Sequence, residues 1–581
     1  MSQSLKRYRS LLVTYLRPQW LRVLLLLLLL FGNIGLSLIS PQILSQFIDA
    51  IGAAVSVGGL IWLALLYLGF AVLRQLATIA ETYEAENVSL TATNALRADL
   101  TLHCLRLDPA FHASHSPGEL IERINNDVGS LGNFFSRFVI SLLGNLLLLV
   151  GILVMFFRIE WRVGLAMAVF ALLSMVFIAR SGGLAAPLWE AERQASAELS
   201  SFIEERISGT EDIRASGATL YMVRGLAERA RAQLSSMLVA LRVNFVSWGS
   251  IGVLTTIGTS LSLVLGVYLF SQHAITIGTV YLIYSYTTLL NTPIEQIVNQ
   301  FRDIQQSAGS MTRIFGLLDT RSSIEDGYGE PIPPGPLAVD IHDLSFQYVD
   351  TVPVLQHIEF TLEPGKVLGL LGRTGSGKTT LTRLLLRMYD PQQGQIRLNG
   401  VDLRAMHLDE LYERIGIVTQ DVQILHTTVR NNLTLFNPTI TDARVIEALE
   451  ILGLDSWYHS LPQGLDTQLV PGGSGLSAGE SQLLAFARMF LKEPSLIILD
   501  EASSRLDPAT ERRLELAITR LLEGRTAIII AHHLATVQRA DMILILEEGC
   551  CREYGSREAL SRDPASRFSQ LMRTGLEEVL L

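Results

Sequence analysis

Residues 372–380 read GRTGSGKTT, and Gly372, Gly377, Lys378 and Thr379 fall on the spacing G-x-x-x-x-G-K-[ST]. An apolar, β-type run, Val367–Leu371, leads into the stretch, and a helix-like run, Leu381–Met388, leaves it. Strand, glycine loop and helix in that order are the setting a phosphate-binding loop requires. Glycines let successive backbone N–H groups converge on phosphate oxygens with no Cβ in the way. The helix that follows turns its positive end toward the same oxygens. Lys378 can reach β- and γ-phosphates, and the Thr379 hydroxyl can ligate Mg²⁺. The stretch Gly372, Arg373, Thr374, Gly375, Ser376, Gly377, Lys378, Thr379 and Thr380 is thus a candidate site for a nucleoside triphosphate.

Nothing else about the first half of the chain looks like a soluble enzyme. Of the 581 residues, 49% are hydrophobic and only 18% charged, the balance expected if part of the chain lies in lipid. The formal net charge of −10 offers no basic face for nucleic acid. Cys104, Cys550 and Cys551 form no disulfide framework and no metal-ligand spacing, and read as free thiols. Lys6, Arg7, Arg9 and Arg17 precede an apolar run at about 21–40 that is long for a signal peptide and has no small-x-small cleavage site after it. It reads as a first transmembrane helix with its basic flank in the cytoplasm.

Five further spans follow at about 58–78, 136–157, 161–179, 249–270 and 275–292. Tyr284, Tyr286, Thr287, Thr288 and Asn291 dilute the last, which suits a helix facing other helices or a wet cavity. The connections 79–135 and 180–248 are long, polar and helix-patterned, and carry Arg97, Arg106, Arg123, Arg193, Arg206 and Arg214. The positive-inside rule puts them in the cytoplasm with both termini, and Arg158 and Arg162 at an outer turn run against it. Residues 295–319 continue the last span as an amphipathic helix. Residues 320–336, with Pro331, Pro333, Pro334 and Pro336, read as a linker between a membrane domain (1–319) and an α/β domain (337–575). The expected fold is therefore an all-α, six-helix membrane domain followed by an α/β P-loop domain.

Within the second domain the motifs follow a fixed order. Tyr348 lies in LSFQYVD, Gln420 ends IGIVTQD, GLSAGESQLLAFAR spans 475–488, an apolar strand Leu496–Leu499 ends in Asp500 and Glu501, Asp507 closes SSRLD, and His532 follows the strand Ala527–Ala531. Together with the six spans, this set resembles the ATP-binding cassette (ABC) exporters, as a half-transporter of six membrane helices fused to one nucleotide-binding domain. The resemblance covers nearly the whole chain. It implies that Tyr348 stacks on adenine, that Gln420 and Asp500 join Thr379 around Mg²⁺, and that Glu501 is the general base for the attacking water. It implies that His532 contacts the γ-phosphate, and that Ser477, Gly479 and Asp507 serve a nucleotide on a facing subunit. ATP and Mg²⁺ are the implied cofactors. The implied partners are a second half-transporter, the bilayer and an exported lipid, peptide or amphipathic small molecule, with no nucleic acid. The implied place is the cytoplasmic membrane, multi-pass, with the nucleotide-binding domain in the cytoplasm.

The stretches DPAFHASHSPGEL (108–120) and EERISGTEDIRASG (204–217) resemble the family's coupling helices, and imply alternating access driven by closure of two domains over ATP. Two departures stand out. Glu480 replaces the usual signature Gln, giving LSAGE, and Pro471 in TQLVPGG stands where the family commonly has a Glu. They keep open an alternative in which this chain is half of a heterodimer and its signature leaves the partner's site mainly regulatory. His533, where the family often has Arg, is assigned no role. With the first span near residue 21 there is no N-terminal peptidase domain, which argues against export of leader peptides.

Overall fold

The computed structural model describes residues 10–11, 13–53, 55–133, 139–348, 352–420, 422–470, 476–500, 508–530 and 537–574. The chain divides into two compact units, Met1–Arg106 with His115–Arg321, and Leu107–Ser114 with Ser322–Leu581.

Among the described residues, the first unit is built on six long helices: α1 (Trp20–Gly52), α2 (Val57–Arg106), α3 (Val139–Ile159), α4 (Trp161–Ser208), α5 (Thr219–Ser271) and α6 (Ile277–Asp319). In α2 the polar stretch after residue 78 continues the same helix, so its 50 residues extend about 75 Å, more than twice the ~30 Å of hydrocarbon. Among the described residues, Val13–Gly52, Val57–Arg106, Leu142–Ile159, Trp161–Arg180 and Gly252–Ser271 are long and apolar enough to cross a membrane. Leu24, Leu28, Trp62 and Leu65 lie exposed along α1 and α2, as lipid-facing residues would. Helix α6 is not apolar enough to join that set, and its packing explains why. Ile283, Tyr286 and Leu290 are fully buried against Ile152 and Phe156 of α3 and Met167 of α4. A helix wrapped in protein can carry polar groups provided they are paired. The Tyr286 hydroxyl donates to Leu38 O at 2.7 Å and accepts from Gln42 Nε2 at 3.0 Å. Asn145 Nδ2 donates to Gln296 Oε1 at 2.7 Å. At the turn between α3 and α4, Arg162 lies 3.8 Å from Glu160, so one of the two basic residues there has an acidic neighbour.

Asp49 fixes the start of α6. Its Oδ1 accepts from Gly278 N at 2.8 Å and its Oδ2 from the Thr276 hydroxyl at 2.7 Å. Gly278 permits this approach, since a Cβ there would lie 2.2 Å from Ser45 O and 2.6 Å from Asp49 Cγ.

The second unit carries two sheets. One is antiparallel, ordered β2–β1–β4–β5, with β1 Val339–Phe346, β2 Leu355–Leu362, β4 Gln393–Leu398 and β5 Val401–Asp402. The other is ordered β10–β9–β3–β8–β7–β6, with β3 Val367–Gly372, β6 Ile415–Val418, β7 Leu496–Asp500, β8 Thr526–Ile530, β9 Met542–Glu547 and β10 Cys550–Ser556. Strands β6, β7, β8, β3 and β9 pair in parallel, and β10 is antiparallel. Every residue of β3 is buried, as a central strand covered on both faces demands. Leu370 and Asp500 both pair with Ile530. The carboxyl ends of β3, β8 and β7 therefore lie level along one sheet edge, where open parallel sheets bind ligands.

The stretch 107–114 falls in this unit and forms the short helix Pro109–Ser114. Buried Asp108 caps it, accepting from Phe111 N at 2.9 Å, and also accepts from Ser323 N and Oγ at 2.6 Å each. Burial opposes ionisation of Asp108, but the hydrogen bonds from Ser323, Phe111 and Ser322 outweigh it and hold the carboxyl below its ordinary value. At the other tip, α4 ends at Ser208, the short helix Thr210–Ala215 follows, and Gly217 takes a φ of +63° before α5.

Two outcomes follow from these contacts. Gly278→Ala is expected to lower the melting temperature of the purified protein by an amount corresponding to about 1–3 kcal/mol, because the clash is with backbone that cannot turn aside. Asp108→Ala is expected to cost about 1–3 kcal/mol at pH 7. A depressed folded-state pKa gives stability above the unfolded value and loses it as pH falls through the folded one. The gap between wild type and variant should therefore persist across neutral pH and narrow only below about pH 4, read from thermal melts over a pH series.

Candidate functional site

The loop after β3 is shaped by three glycines. Gly372, Gly375 and Gly377 adopt φ values of +152°, +84° and +103°. A Cβ on Gly372 would lie 2.4 Å from Leu546 O, and one on Gly377 would lie 2.5 Å from Leu355 Cδ2. Gly377 is the N-cap of helix α7 (Lys378–Leu385), so the loop delivers its amides to a helix start. Lys378 is buried and its ammonium donates to Gly372 O at 2.5 Å and Arg373 O at 3.0 Å, folding back over the loop. Ser376 is buried too, and its Oγ has no hydrogen-bond partner. A buried hydroxyl in that state suits a loop whose partner is a bound oxyanion.

A cleft of about 300 Å³ opens here, lined by Thr374, Gly375, Gly377, Lys378, Thr379 and Thr380 on the loop side and by Gln420 and Asp500 opposite. Sheet order explains the meeting: Asp500 ends β7, Gln420 lies two residues beyond β6, and both strands run parallel to β3 in the same sheet. Val354 and Ile530 complete the lining, and no sequence motif singles them out. The hydroxyl of Thr379, the amide of Gln420 and the carboxylate of Asp500 are oxygen donors, the set that hard Mg²⁺ prefers. Glu501, Asp507 and His532 lie outside the described residues, as does His533.

Tyr348 is placed beside the cleft rather than in its lining. Its hydroxyl donates to Thr380 Oγ1 at 3.1 Å and accepts from Arg383 Nη1 at 3.2 Å. Its ring stands edge-on to Phe346 and Tyr389, with centroids 4.9 and 5.2 Å away. Burial pushes the Tyr389 phenol above its ordinary value, and the neighbouring Tyr348 adds to the shift.

Ser477 and Gly479 do not line this cleft; they begin helix α8 (Ala478–Lys492). Ser477 is its N-cap and forms a capping box with Glu480. The Ser477 hydroxyl accepts from Glu480 N at 3.1 Å, and Glu480 Oε2 accepts from Ser477 N at 2.8 Å. The spacing S-x-x-E announces this arrangement in the sequence. Eight residues after Glu480 stands Arg488, which no sequence motif singles out. It donates through Nε to Asn432 O at 2.8 Å and through Nη2 to Gln423 O at 3.0 Å. It ties α8 to the segment after Gln420. Burial lowers its pKa, but a guanidinium stays charged at any ordinary pH.

Comparison with known proteins supplies the family. The family model for the ABC transporter transmembrane region matches residues 23–294, and that for the ABC transporter matches residues 355–504. The uncharacterised ABC transporter ATP-binding protein YfiC of Bacillus subtilis is 30% identical over 571 residues, covering 97% of this chain and 94% of the relative. The ATP-dependent lipid A-core flippase of Syntrophus aciditrophicus is 32% identical over 453 residues, 78% of this chain and 75% of the relative. The structure of a bacterial Atm1-family ABC exporter with ATP bound superposes with a TM-score of 0.80 at 24% identity, covering 96% of this chain and 98% of that one. The chain belongs to the ABC transporter family in its exporter arrangement, a multi-pass membrane region and an ATP-hydrolysing domain in one polypeptide.

Proposed function

We propose that this chain is one subunit of a dimeric exporter that couples ATP binding and hydrolysis to alternating-access export of a lipid, peptide or amphipathic small molecule. The observation that carries the reading is the single cleft in which Lys378, Thr379, Gln420 and Asp500 converge, in a chain that also has six long helices. On this reading residues 1–319 form the membrane domain, with six spans and both termini inside, 320–336 the linker and 337–575 the nucleotide-binding domain in the cytoplasm.

The amides of residues 373–379 and the Lys378 ammonium hold the β- and γ-phosphates, and the Ser376 hydroxyl gains its missing partner there. Lys378 exchanges two carbonyl partners for phosphate oxygens, so its charge stays paired in both states. Thr379, Gln420 and Asp500 hold Mg²⁺, whose chemistry is to neutralise charge on the transferring phosphoryl group. Tyr348 supports adenine from the rim of the cleft; its hydroxyl bond to Thr380 fixes the ring. Glu501 takes the proton of the attacking water, and His532 steadies the γ-phosphate. Ser477, Gly479 and Asp507 complete the facing subunit's site. The short helix Pro109–Ser114, anchored through Asp108, and the tip Thr210–Ala215 transmit closure to the membrane helices.

The capping box favours a second reading for the facing site. Glu480 places a carboxylate at the same helix start that would meet a γ-phosphate. That charge stabilises the free helix and opposes a second anion. On this reading the chain is half of a heterodimer, and the site it completes binds ATP weakly and regulates rather than turns over.

Glu501→Gln is expected to cut ATP turnover by about 10²–10⁴-fold while ATP still binds, measured by phosphate release and nucleotide binding on the reconstituted protein. Undiminished turnover would remove Glu501 from its role. Lys378→Ala should weaken ATP binding by about tenfold or more, since a charge-assisted contact is lost. Glu480→Gln should raise ATP affinity at the composite site; an unchanged ATP dependence of turnover would rule out the regulatory reading.

A further inference from the structure

Between α1, α2 and α6 lies a second cavity, of about 360 Å³, wholly within the first unit. Counted from the helix ends at Gly52, Val57 and Ile277, its lining lies roughly 6–25 Å along the helices, inside the ~30 Å that hydrocarbon spans. Its volume is that of a pocket for a small organic molecule or for the head of a larger one.

Three chemistries meet in its wall. Arg74 lines it and, among the described residues, makes no ion pair. A cation that faces a cavity within a membrane span normally has a partner, so its counter-charge is to be sought in a ligand. Acceptors lie on two other helices. Pro41 and Pro293 interrupt α1 and α6, and a proline has no N–H for the carbonyl four residues before it. Those carbonyls belong to Ser37 and Leu289, both of which line the cavity. The hydroxyls of Ser40 and Thr288, also in the lining, donate to Leu36 O at 2.7 Å and Tyr284 O at 3.1 Å, which leaves their oxygens to accept. Tyr67, Tyr281 and Tyr284 supply aromatic faces, the last two with ring centroids 6.4 Å apart.

We propose that this cavity is the cargo-recognition site and that its cargo is an amphipathic anion with a hydroxylated head. Arg74 pairs with the anionic group, the carbonyls of Ser37 and Leu289 and the Ser40 and Thr288 oxygens accept from the head's hydroxyls, and the tyrosines cover its apolar part. The assignment rests on the transporter reading above and adds to it a class of substrate. It separates the polar residues of the spans by role: Tyr284 faces the cavity, whereas Tyr286 and Asn145 are consumed in helix–helix hydrogen bonds.

The test uses the full-length protein in nanodiscs of neutral lipid, without nucleotide, and measures binding of two matched pairs of probes. Lysophosphatidylglycerol against lysophosphatidylcholine of the same chain represents a lipid source. Octyl glucuronide against octyl glucoside represents a soluble one. The anionic, hydroxylated member of at least one pair should bind about tenfold more tightly or better than its match. Arg74→Gln should abolish that preference while retaining affinity for the neutral member, and Arg74→Lys should restore much of it. A preference in the first pair alone assigns a lipid, in the second alone a soluble amphiphile, and in both the shared chemistry. Equal affinities within both pairs, or a preference that survives Arg74→Gln, would overturn the proposal, as would loss of both members in equal proportion. Because nucleotide is absent, failure here is distinct from failure of the ATPase reading, which Glu501→Gln reports.

Discussion

The ammonium of Lys378, buried and folded onto the carbonyls of Gly372 and Arg373, is the contact on which the nucleotide-binding domain turns. A buried charge is tolerable only when paired, and unpairing one costs several kcal/mol (about 3–5). The loop must therefore present carbonyls or a ligand's oxygens to this group at all times. Carbonyls can converge on it only where the backbone takes positive φ values, which is why glycine stands at 372, 375 and 377. The loop can be this tight only because β3 ends beneath it, buried on both faces and hydrogen-bonded to β8 and β9. The same sheet brings Asp500 and Gln420 to the other wall. One lysine's demand for partners and one strand's central place thus account for most of the cleft.

The membrane unit answers a different constraint. Backbone polar groups in lipid must pair within their own segment, which leaves long helices as the solution for this chain. Side chains then sort by what faces them. Leu24, Leu28, Trp62 and Leu65 are exposed and apolar, whereas α6 buries Ile283, Tyr286, Leu290 and Ile294 against its neighbours. Tyr286 and Gln296 of α6 bond to Leu38, Gln42 and Asn145 of neighbouring helices, Thr287 bonds back to Ile283 of its own helix, and Tyr284 and Thr288 face the wall α6 shares with α1 and α2. There two prolines have withdrawn backbone donors beside an arginine.

The nucleotide motifs and the long apolar helices are legible in the sequence because both are local signals: a glycine spacing, an apolar run, a strand ended by an acid. The last span is the most polar in the sequence for a reason the structure makes plain: Tyr286 is fully buried and bonded to α1, and Tyr284 lines a cavity. The S-x-x-E spacing at Ser477–Glu480 was visible too, but as a departure from a family pattern rather than as the helix cap it forms. Other features depend on contacts no local pattern encodes. Arg488 reaches Gln423 and Asn432 across 65 and 56 residues of chain. The edge-on packing of Tyr348 against Phe346 and Tyr389 depends on a residue 41 positions away, and Asp108 finds Ser323 across 215. Hydropathy and spacing cannot report such pairings, because they are set by how strands and helices stack.

Asp108 also shows how force can pass along this chain. The segment 107–114 leaves α2 without a break in sequence, and Ser322 and Ser323 follow α6 after two residues. The carboxylate joins these two exits inside one compact unit, with a charge-assisted bond to each side. Chain connectivity thus links this unit to α2 and α6, and these are two of the three helices that wall the cavity holding Arg74. Under the proposed cycle ATP shifts the equilibrium only by the difference in its affinity for the closed and open dimers. A cargo that pairs with Arg74 acts by the same rule, since it too favours whichever arrangement of α1, α2 and α6 fits it. Two ligands that bias one set of helices are necessarily linked, and that linkage, rather than the hydrolysis itself, is what would make ATP turnover answer to cargo.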